Sequence, residues 1–171
     1  MRHIILFLIL ILPSQTLALI EVDITRGNLN PLPIAVSPLS IDEESRKNFK
    51  KILKKENIGS EISIIVENNL KTSGLFNPLD KDAFLQKPDI ANLKPRFEDW
   101  NLIKAQALIT GKVTAVDEKL RVEFRLWDVL AGKEMMALAF TTVPTNWRRV
   151  GHIITDKVYE RLTGEKGYFD T

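Results

Sequence analysis

The sequence contains no cysteine, which excludes disulfide bonds and thiolate chemistry but is compatible with any compartment. It has only two histidines, His3 and His152, too few to build a zinc site without cysteine ligands. A glycine-rich phosphate loop and a serine nucleophile elbow are both missing. The aspartates considered as candidate catalytic groups are spread over predicted loops and chain ends, and they are Asp23, Asp42, Asp80, Asp89 and Asp99. We therefore expect no enzymatic activity and neither a metal nor a cofactor.

The net charge is small, +2 over 171 residues, and does not point to a nucleic-acid partner. A hydrophobic content of 44% with 27% charged residues is typical of one folded globular domain. Lysines are concentrated in residues 41–57, where they surround a narrow apolar stripe at Phe49, Ile52 and Leu53 and are offset by glutamates. This pattern is typical of the solvent-exposed face of a helix.

The amino-terminal residues have the features of a leader. An unbroken run of nine apolar residues (4–12) follows Arg2 and His3 and precedes a small-residue sequence that ends at Ala18. As a helix, this run would extend about 14 Å, too short for a bilayer core of roughly 30 Å. We therefore predict a signal peptide over residues 1–18, cleavage after Ala18, and no stable membrane insertion of the mature chain.

The clearest signal for the fold lies between residues 107 and 143. Every second residue from Leu120 to Leu126 is apolar, and Arg121, Glu123 and Arg125 lie between them. A period of two is typical of a strand with one face on a core and one in water. Similar alternation on either side, with short polar connections, predicts an antiparallel three-stranded meander. Because a meander alone buries one face only, helices must cover it.

Two long helices are predicted to provide this cover. The first is expected to begin with Ser60 as its N-cap and to end at Gly74. The second is expected to be capped by Thr145 or Asn146 and to end at Gly164. Their inward-facing stripes are predicted to be Ile62, Ile65, Val66 and Leu70 in the first helix, and Trp147, Val150, Ile154, Val158 and Leu162 in the second.

The remaining segments carry weaker signals. The sequence Ile34-Ala35-Val36 is all apolar and is predicted to be a strand buried on both faces. Residues 77–95 are expected to be rich in loops, with one helical turn near residues 83–86. Residues 98–105 are predicted to form a short helix that buries Trp100. Trp127 lies on the charged face of its strand, so it is expected either under a covering helix or in a contact with a partner.

Residues 19–24, Leu-Ile-Glu-Val-Asp-Ile, alternate apolar and acidic side chains. This pattern predicts an edge strand, but the polar residues that follow leave a loosely attached segment as the alternative.

Several blocks of sequence resemble one family. They are Lys-Thr-Ser-Gly-Leu-Phe at 71–76, Ala-Leu-Ile-Thr-Gly-Lys-Val at 107–113, Arg-Val-Glu-Phe-Arg-Leu-Trp-Asp-Val at 121–129, and the final block at 158–171. Together they are similar to the amino-terminal domain of TolB, the periplasmic component of the Tol-Pal system, over residues 19–171. The resemblance implies an α/β (α+β) domain with a mixed sheet covered by two long helices. It also implies a periplasmic location and a non-enzymatic role in outer-membrane integrity and cell-division constriction.

The resemblance further implies a partner site. In the family, the first mature residues bind the C-terminal domain of TolA and can be docked or released. An alternating apolar segment that adds to the edge of another sheet fits this role. The matching residues here, called the amino-terminal arm, are Leu19, Ile20, Glu21, Val22, Asp23, Ile24, Thr25, Arg26, Gly27, Asn28, Leu29 and Asn30.

The resemblance also predicts the domain organisation. Residues 31–164 are expected to form the α/β domain, and residues 165–171 to be the junction to a six-bladed β-propeller that this sequence lacks. The chain is therefore expected to be a fragment or a truncated gene product, and Pal is expected to be bound mainly by the missing propeller. The fold of the family resembles the anticodon-binding domains of some aminoacyl-tRNA synthetases. Nucleic acid is not an expected partner, but a nucleic-acid-binding module is the alternative hypothesis because Lys50–Lys55 is basic.

Overall fold

The computed structural model describes residues 20–22 and 30–171. The predicted signal peptide and its cleavage site at Ala18 lie outside these residues. In the described part, the strands are β1 (Leu32–Val36), β2 (Ser40–Ile41), β3 (Phe76–Pro78), β4 (Ala107–Val116), β5 (Lys119–Asp128) and β6 (Lys133–Thr142). The helices are α1 (Glu43–Leu53), α2 (Ile58–Thr72), α3 (Pro88–Leu93), α4 (Phe97–Leu102) and α5 (Trp147–Thr163), with short 3-10 helices at Lys81–Ala83 and Pro144–Asn146.

The strands form one mixed sheet in the order β3-β1-β4-β5-β6, and β2 pairs with β4 beside β1. The pairs that involve β1, β2 and β3 are parallel, whereas β4–β5 and β5–β6 are antiparallel. The predicted meander is therefore confirmed. The inward-facing residues of β5 are at most 1% exposed, and they are Leu120, Val122, Phe124 and Leu126.

The helices α2 and α5 lie together on one face of the sheet and enclose the main core. They approach closely at Gly151, where a Cβ would lie 2.8 Å from Ile65 Cγ2. Asn69 links the two helices, because its Nδ2 donates to Thr155 Oγ1 (3.2 Å) and lies 2.9 Å from His152 Nδ1. The predicted cover of two long helices is confirmed, and so are the stop at Gly164 and the buried stripe of α5.

The predicted start of α2 is wrong. The helix begins at Ile58 after Asn57, and Ser60 lies inside its first turn instead of capping it. A tertiary contact explains the earlier start, because a Cβ on Gly59 would meet the carbonyl oxygen of Leu39 at 2.2 Å. Only glycine lets the helix begin so close to the chain that leaves β1.

The loop-rich interpretation of residues 77–95 is also only partly right. Phe76–Pro78 pairs with β1, and Pro88 starts α3 instead of interrupting a loop. The helical turn that was expected near residues 83–86 lies at Lys81–Ala83. Buried Gln86 orders this region, since its side chain donates to the Lys94 carbonyl and accepts from Arg96 N and Trp100 Nε1.

The tryptophans follow the predictions. Trp100 and Trp147 are buried in the two hydrophobic clusters. Trp127 is half-buried, donates through Nε1 to Thr110 Oγ1 (2.9 Å), and meets the Phe97 ring of α4 edge-on with a centroid distance of 5.8 Å. Of the two alternatives for Trp127, the covering helix is therefore correct. The strand at Ile34-Ala35-Val36 is buried on both faces, as predicted.

Candidate partner-binding site

The candidate site is the amino-terminal arm, of which the structure describes Ile20, Glu21, Val22 and Asn30. Leu19 and residues 23–29 lie outside the described residues. Between Ile20 and Val22 the chain is not part of the sheet, so the edge-strand interpretation is wrong for these three residues. These three residues lie instead against the carboxyl end of α5 and the turn between β5 and β6.

A buried carboxylate holds the first described residue of the arm. The backbone N of Ile20 donates to Asp128 Oδ2 at 3.3 Å. Asp128 is only 1% exposed, and its Oδ1 accepts from Ala131 N at 2.8 Å in the β5–β6 turn. One aspartate thus binds both the turn and the arm, and a buried carboxylate needs such donors.

The carboxyl end of α5 holds Val22, the third described residue of the arm. Val22 N donates to the carbonyl of Leu162 at 2.8 Å. Leu162 lies in the last turn of α5, where carbonyls have no donor from within the helix. The side chains of Ile20 and Val22 are half-buried and pack on the main core, while Glu21 is exposed. The arm therefore supplies a donor that the helix end lacks and adds a thin apolar cover to the core.

Beside the arm is an open groove of about 590 Å³. Ile20 and Glu21 form one wall, Met136 of β6 contributes an apolar surface, and the opposite wall is the last part of α5. That helical wall consists of Lys157, Glu160, Arg161 and Gly164. Arg161 Nε also donates to the Met135 carbonyl at 3.4 Å, which connects α5 with β6. The groove is therefore lined by apolar and charged groups of both signs.

The tail that follows α5 is also docked, which the sequence did not indicate. Asp156 accepts from the backbone N of Phe169 (2.8 Å) and of Asp170 (3.0 Å), and Asp170 forms an ion pair with Arg149. The Tyr159 ring packs edge-on against Phe169. Burial raises the pKa of the Tyr159 hydroxyl.

Clusters of metal-ligating side chains were sought in the described part of the chain. No group of three or more histidine, cysteine, aspartate or glutamate side chains in residues 20–22 and 30–171 could hold a metal ion. His152 lies beside Asn69 between the two long helices, which is a structural position.

The lysine-rich segment is a solvent-exposed helix face with local ion pairs. Lys50 pairs with Glu56, and this pairing raises the pKa of the lysine and lowers that of the glutamate. Lys55 pairs with Glu61 at 2.7 Å and lies over the Trp147 ring. These contacts account for Lys50 and Lys55 within the chain.

The sequence profile of the TolB amino-terminal domain family matches residues 20–135 of this chain. The chain belongs to the TolB family. Over 164 residues it is 85% identical to "Tol-Pal system protein TolB" of Pelagibacter ubique (strain HTCC1062), which covers 96% of this chain. The chain spans 37% of the length of that TolB. The resemblance seen in the sequence is therefore confirmed.

A solved TolB structure supports the fold. TolB from Acinetobacter baumannii superposes with a TM-score of 0.65 at 21% identity, and the match covers 82% of this chain and 30% of that TolB chain. At this identity the likeness to that TolB shows the fold alone. In the described residues of this family member, no helix has both the length and the apolarity needed to cross a bilayer.

Proposed function

We propose that this chain is a non-enzymatic adaptor domain of the Tol-Pal system, exported to the periplasm by its leader. It binds the C-terminal domain of TolA through the amino-terminal arm, residues 19–30, and thereby contributes to outer-membrane integrity and to constriction at cell division. Membership of the TolB family and the 85% identical Tol-Pal protein support the system. The leader-like residues 1–18 support the compartment.

The observation that carries this proposal is how lightly the described part of the arm, Ile20 to Val22, is attached. In these three residues, two backbone donors, Ile20 N and Val22 N, and two half-buried side chains contact the domain. None of these contacts is part of the sheet, so Ile20 to Val22 can leave the domain without breaking a strand pairing. An apolar segment with free backbone groups is then available to the edge of another sheet.

The charge pattern of the arm suits this kind of ligand. Ile20, Val22 and Ile24 alternate with Glu21 and Asp23, so an extended arm presents one apolar face and one acidic face. The backbone supplies the hydrogen bonds that give affinity, and the alternate side chains determine specificity.

The test is a binding measurement with the purified C-terminal domain of TolA immobilised on a sensor. A chain that begins at Leu19 is compared with one that begins at Asn30, and only the longer chain is expected to bind. Val22→Asp should weaken binding by at least about tenfold, because it places a charge on the apolar face. Glu21→Gln is the matched control and should bind within about threefold of the parent. Equal binding by the two chain lengths would contradict the assignment of the arm.

Pal binding is not proposed for this chain. A parallel titration with a labelled RNA at low salt tests the alternative, since a nucleic-acid module would show strong and salt-dependent affinity.

A further inference from the structure

We propose that Asp128 binds the amino terminus that removal of the leader creates, so that cleavage after Ala18 strengthens the docking of the arm on the domain. The ligand is a primary ammonium, the new α-amino group of Leu19. This inference rests on the proposed export and leader cleavage, and it goes beyond them by assigning a receptor for the new terminus within the folded domain.

Asp128 is a buried anion that is short of a cation. It is only 1% exposed, and its two donors are uncharged backbone groups, Ala131 N at 2.8 Å and Ile20 N at 3.3 Å. In the part of the chain that the structure describes, Asp128 forms no ion pair. Lys133 is its partner in the strand register, but this lysine is exposed. A buried carboxylate is costly to keep ionised without a counter-charge, so the site favours a cationic ligand.

The contact with Ile20 shows from which side such a ligand arrives. Ala131 N of the turn donates to Oδ1, whereas Ile20 N of the arm donates to Oδ2. At 3.3 Å the bond from Ile20 is long, since a charged N–H donor usually lies about 2.7–2.9 Å from a carboxylate oxygen. An ionised carboxylate oxygen also accepts more than one hydrogen bond. Oδ2 can therefore accept a second and stronger donor from the side of the arm.

Covalent geometry brings the terminal nitrogen of a chain that begins at Leu19 within reach of this oxygen. Three bonds connect the backbone nitrogens of neighbouring residues, which keeps them about 3–4 Å apart. The α-amino nitrogen is therefore at most about 7 Å from Asp128 Oδ2, because Ile20 N is itself 3.3 Å away. Rotation within the first residue shortens this distance.

Cleavage changes the charge of this nitrogen. Before cleavage it belongs to the amide that joins Ala18 to Leu19, and it is neutral. Hydrolysis of that amide consumes one water and leaves a carboxylate on Ala18 and an ammonium on Leu19, which is mostly charged at pH 7. A charged donor thus replaces a neutral one beside a buried carboxylate, and charge-assisted hydrogen bonds are roughly twice as strong as neutral ones. The arm is therefore held more firmly in the processed chain than in the precursor.

Glu21 is the competing carboxylate, because it is close to the new terminus in the chain. It is exposed, and an exposed ion pair contributes little because water and salt screen it. An ion pair with buried Asp128 is screened much less. Asp128 is therefore the stronger of the two sites for the ammonium.

The test is a double-mutant cycle on the hydrogen exchange of the Val22 amide, which donates to the Leu162 carbonyl in the docked arm. One chain begins at Leu19, and the other carries Leu-Gly before it, which moves the ammonium by up to about 7 Å without changing the type of the first residue. Both are made with and without Asp128→Asn and compared at about pH 6.5, where the ammonium is charged. The extension should speed exchange at least about fivefold when Asp128 is present, and less than about twofold in the Asp128→Asn background.

Glu21→Gln is the matched control, and in that background the extension should still speed exchange at least about fivefold. A second measurement needs no variant of Asp128, whose replacement could prevent folding. The α-amino group, followed by NMR, should titrate at higher pH in the chain that begins at Leu19 than in the extended chain, because a nearby carboxylate stabilises the ammonium. Titration at the same pH in both chains would overturn the proposal, as would an equal effect of the extension with and without Asp128.

Export of the full-length precursor supplies the last check. Amino-terminal sequencing of the processed chain should begin at Leu19, and another first residue would overturn the proposal. TolA is absent from all these measurements, so a failure here is distinguishable from a failure of the TolA assignment, which has its own binding test.

Discussion

Removing the arm should leave the domain folded and nearly as stable as before. The comparison is between a chain that begins at Leu19 and one that begins at Asn30. Among the described residues, the truncation removes the hydrogen bonds that Ile20 N and Val22 N donate, together with two half-buried side chains. It also exposes Asp128 Oδ2, which water can then solvate.

The expected change in the free energy of unfolding is small because it is the difference between opposing contributions of similar size. Each backbone hydrogen bond contributes about 1 kcal/mol, and the half-burial of each apolar side chain contributes about 1 kcal/mol. Ordering the backbone of the three described residues, Ile20 to Val22, costs about 1–2 kcal/mol for each residue. The free energy of unfolding should therefore change by less than about 2 kcal/mol, and the melting temperature by less than about 8 °C. An arm held this weakly can exchange between the domain and a partner.

The assay is urea denaturation of both chains, followed by the fluorescence of the buried tryptophans Trp100 and Trp147. Leu126→Ala, made in both chains, is the reference for a loss of core packing and should lower the free energy of unfolding by about 2–5 kcal/mol. A loss of about 4 kcal/mol or more on truncation would refute the reasoning, because the arm would then be a structural part of the domain.

Three further changes test the fold. Leu126→Asp should unfold the domain, since a buried unpaired carboxylate costs several kcal/mol out of a total stability of about 5–15 kcal/mol; circular dichroism measures the result. Gly59→Ala should destabilise despite the higher helix propensity of alanine, because the new Cβ would lie 2.2 Å from the Leu39 carbonyl; thermal melting measures this. Asp42→Ala should cost about 1 kcal/mol at pH 7, because Asp42 caps α1 by accepting from Ser45 N at 2.8 Å. That hydrogen bond lowers the pKa of Asp42, so the stabilisation is complete above the unfolded-state pKa and disappears as the pH falls through the lower folded-state pKa; urea titrations from pH 7 to pH 2 measure the convergence.

Each change has a control or a contradicting outcome. A folded Leu126→Asp protein would mean that the faces of β5 are assigned in reverse. Ser60→Ala lies in the same turn as Gly59 and should have little effect. For Asp42→Ala, a stability difference that persists unchanged at pH 2 would exclude the carboxylate as its cause.

Local sequence patterns determined much of this fold. The alternation from Leu120 to Leu126 specifies a strand and its buried face, because neighbouring side chains in a strand point to opposite sides. The apolar stripe of α5 and the positive φ of Gly164 are likewise properties of a few adjacent residues. The range of the arm, residues 19–30, came from the resemblance to the TolB family. That resemblance rests on blocks of sequence such as residues 71–76 and 121–129.

Only the tertiary structure decided which distant segments meet. Asp128 contacts Ile20 across 108 positions, and no local pattern marks that aspartate as the anchor of the arm. Phe76–Pro78 has too few residues to show a period, and its pairing with β1 makes it a strand. The early start of α2 depends on how Gly59 lies against Leu39. The order of strands follows from how all the elements pack together, not from the residues of any one of them.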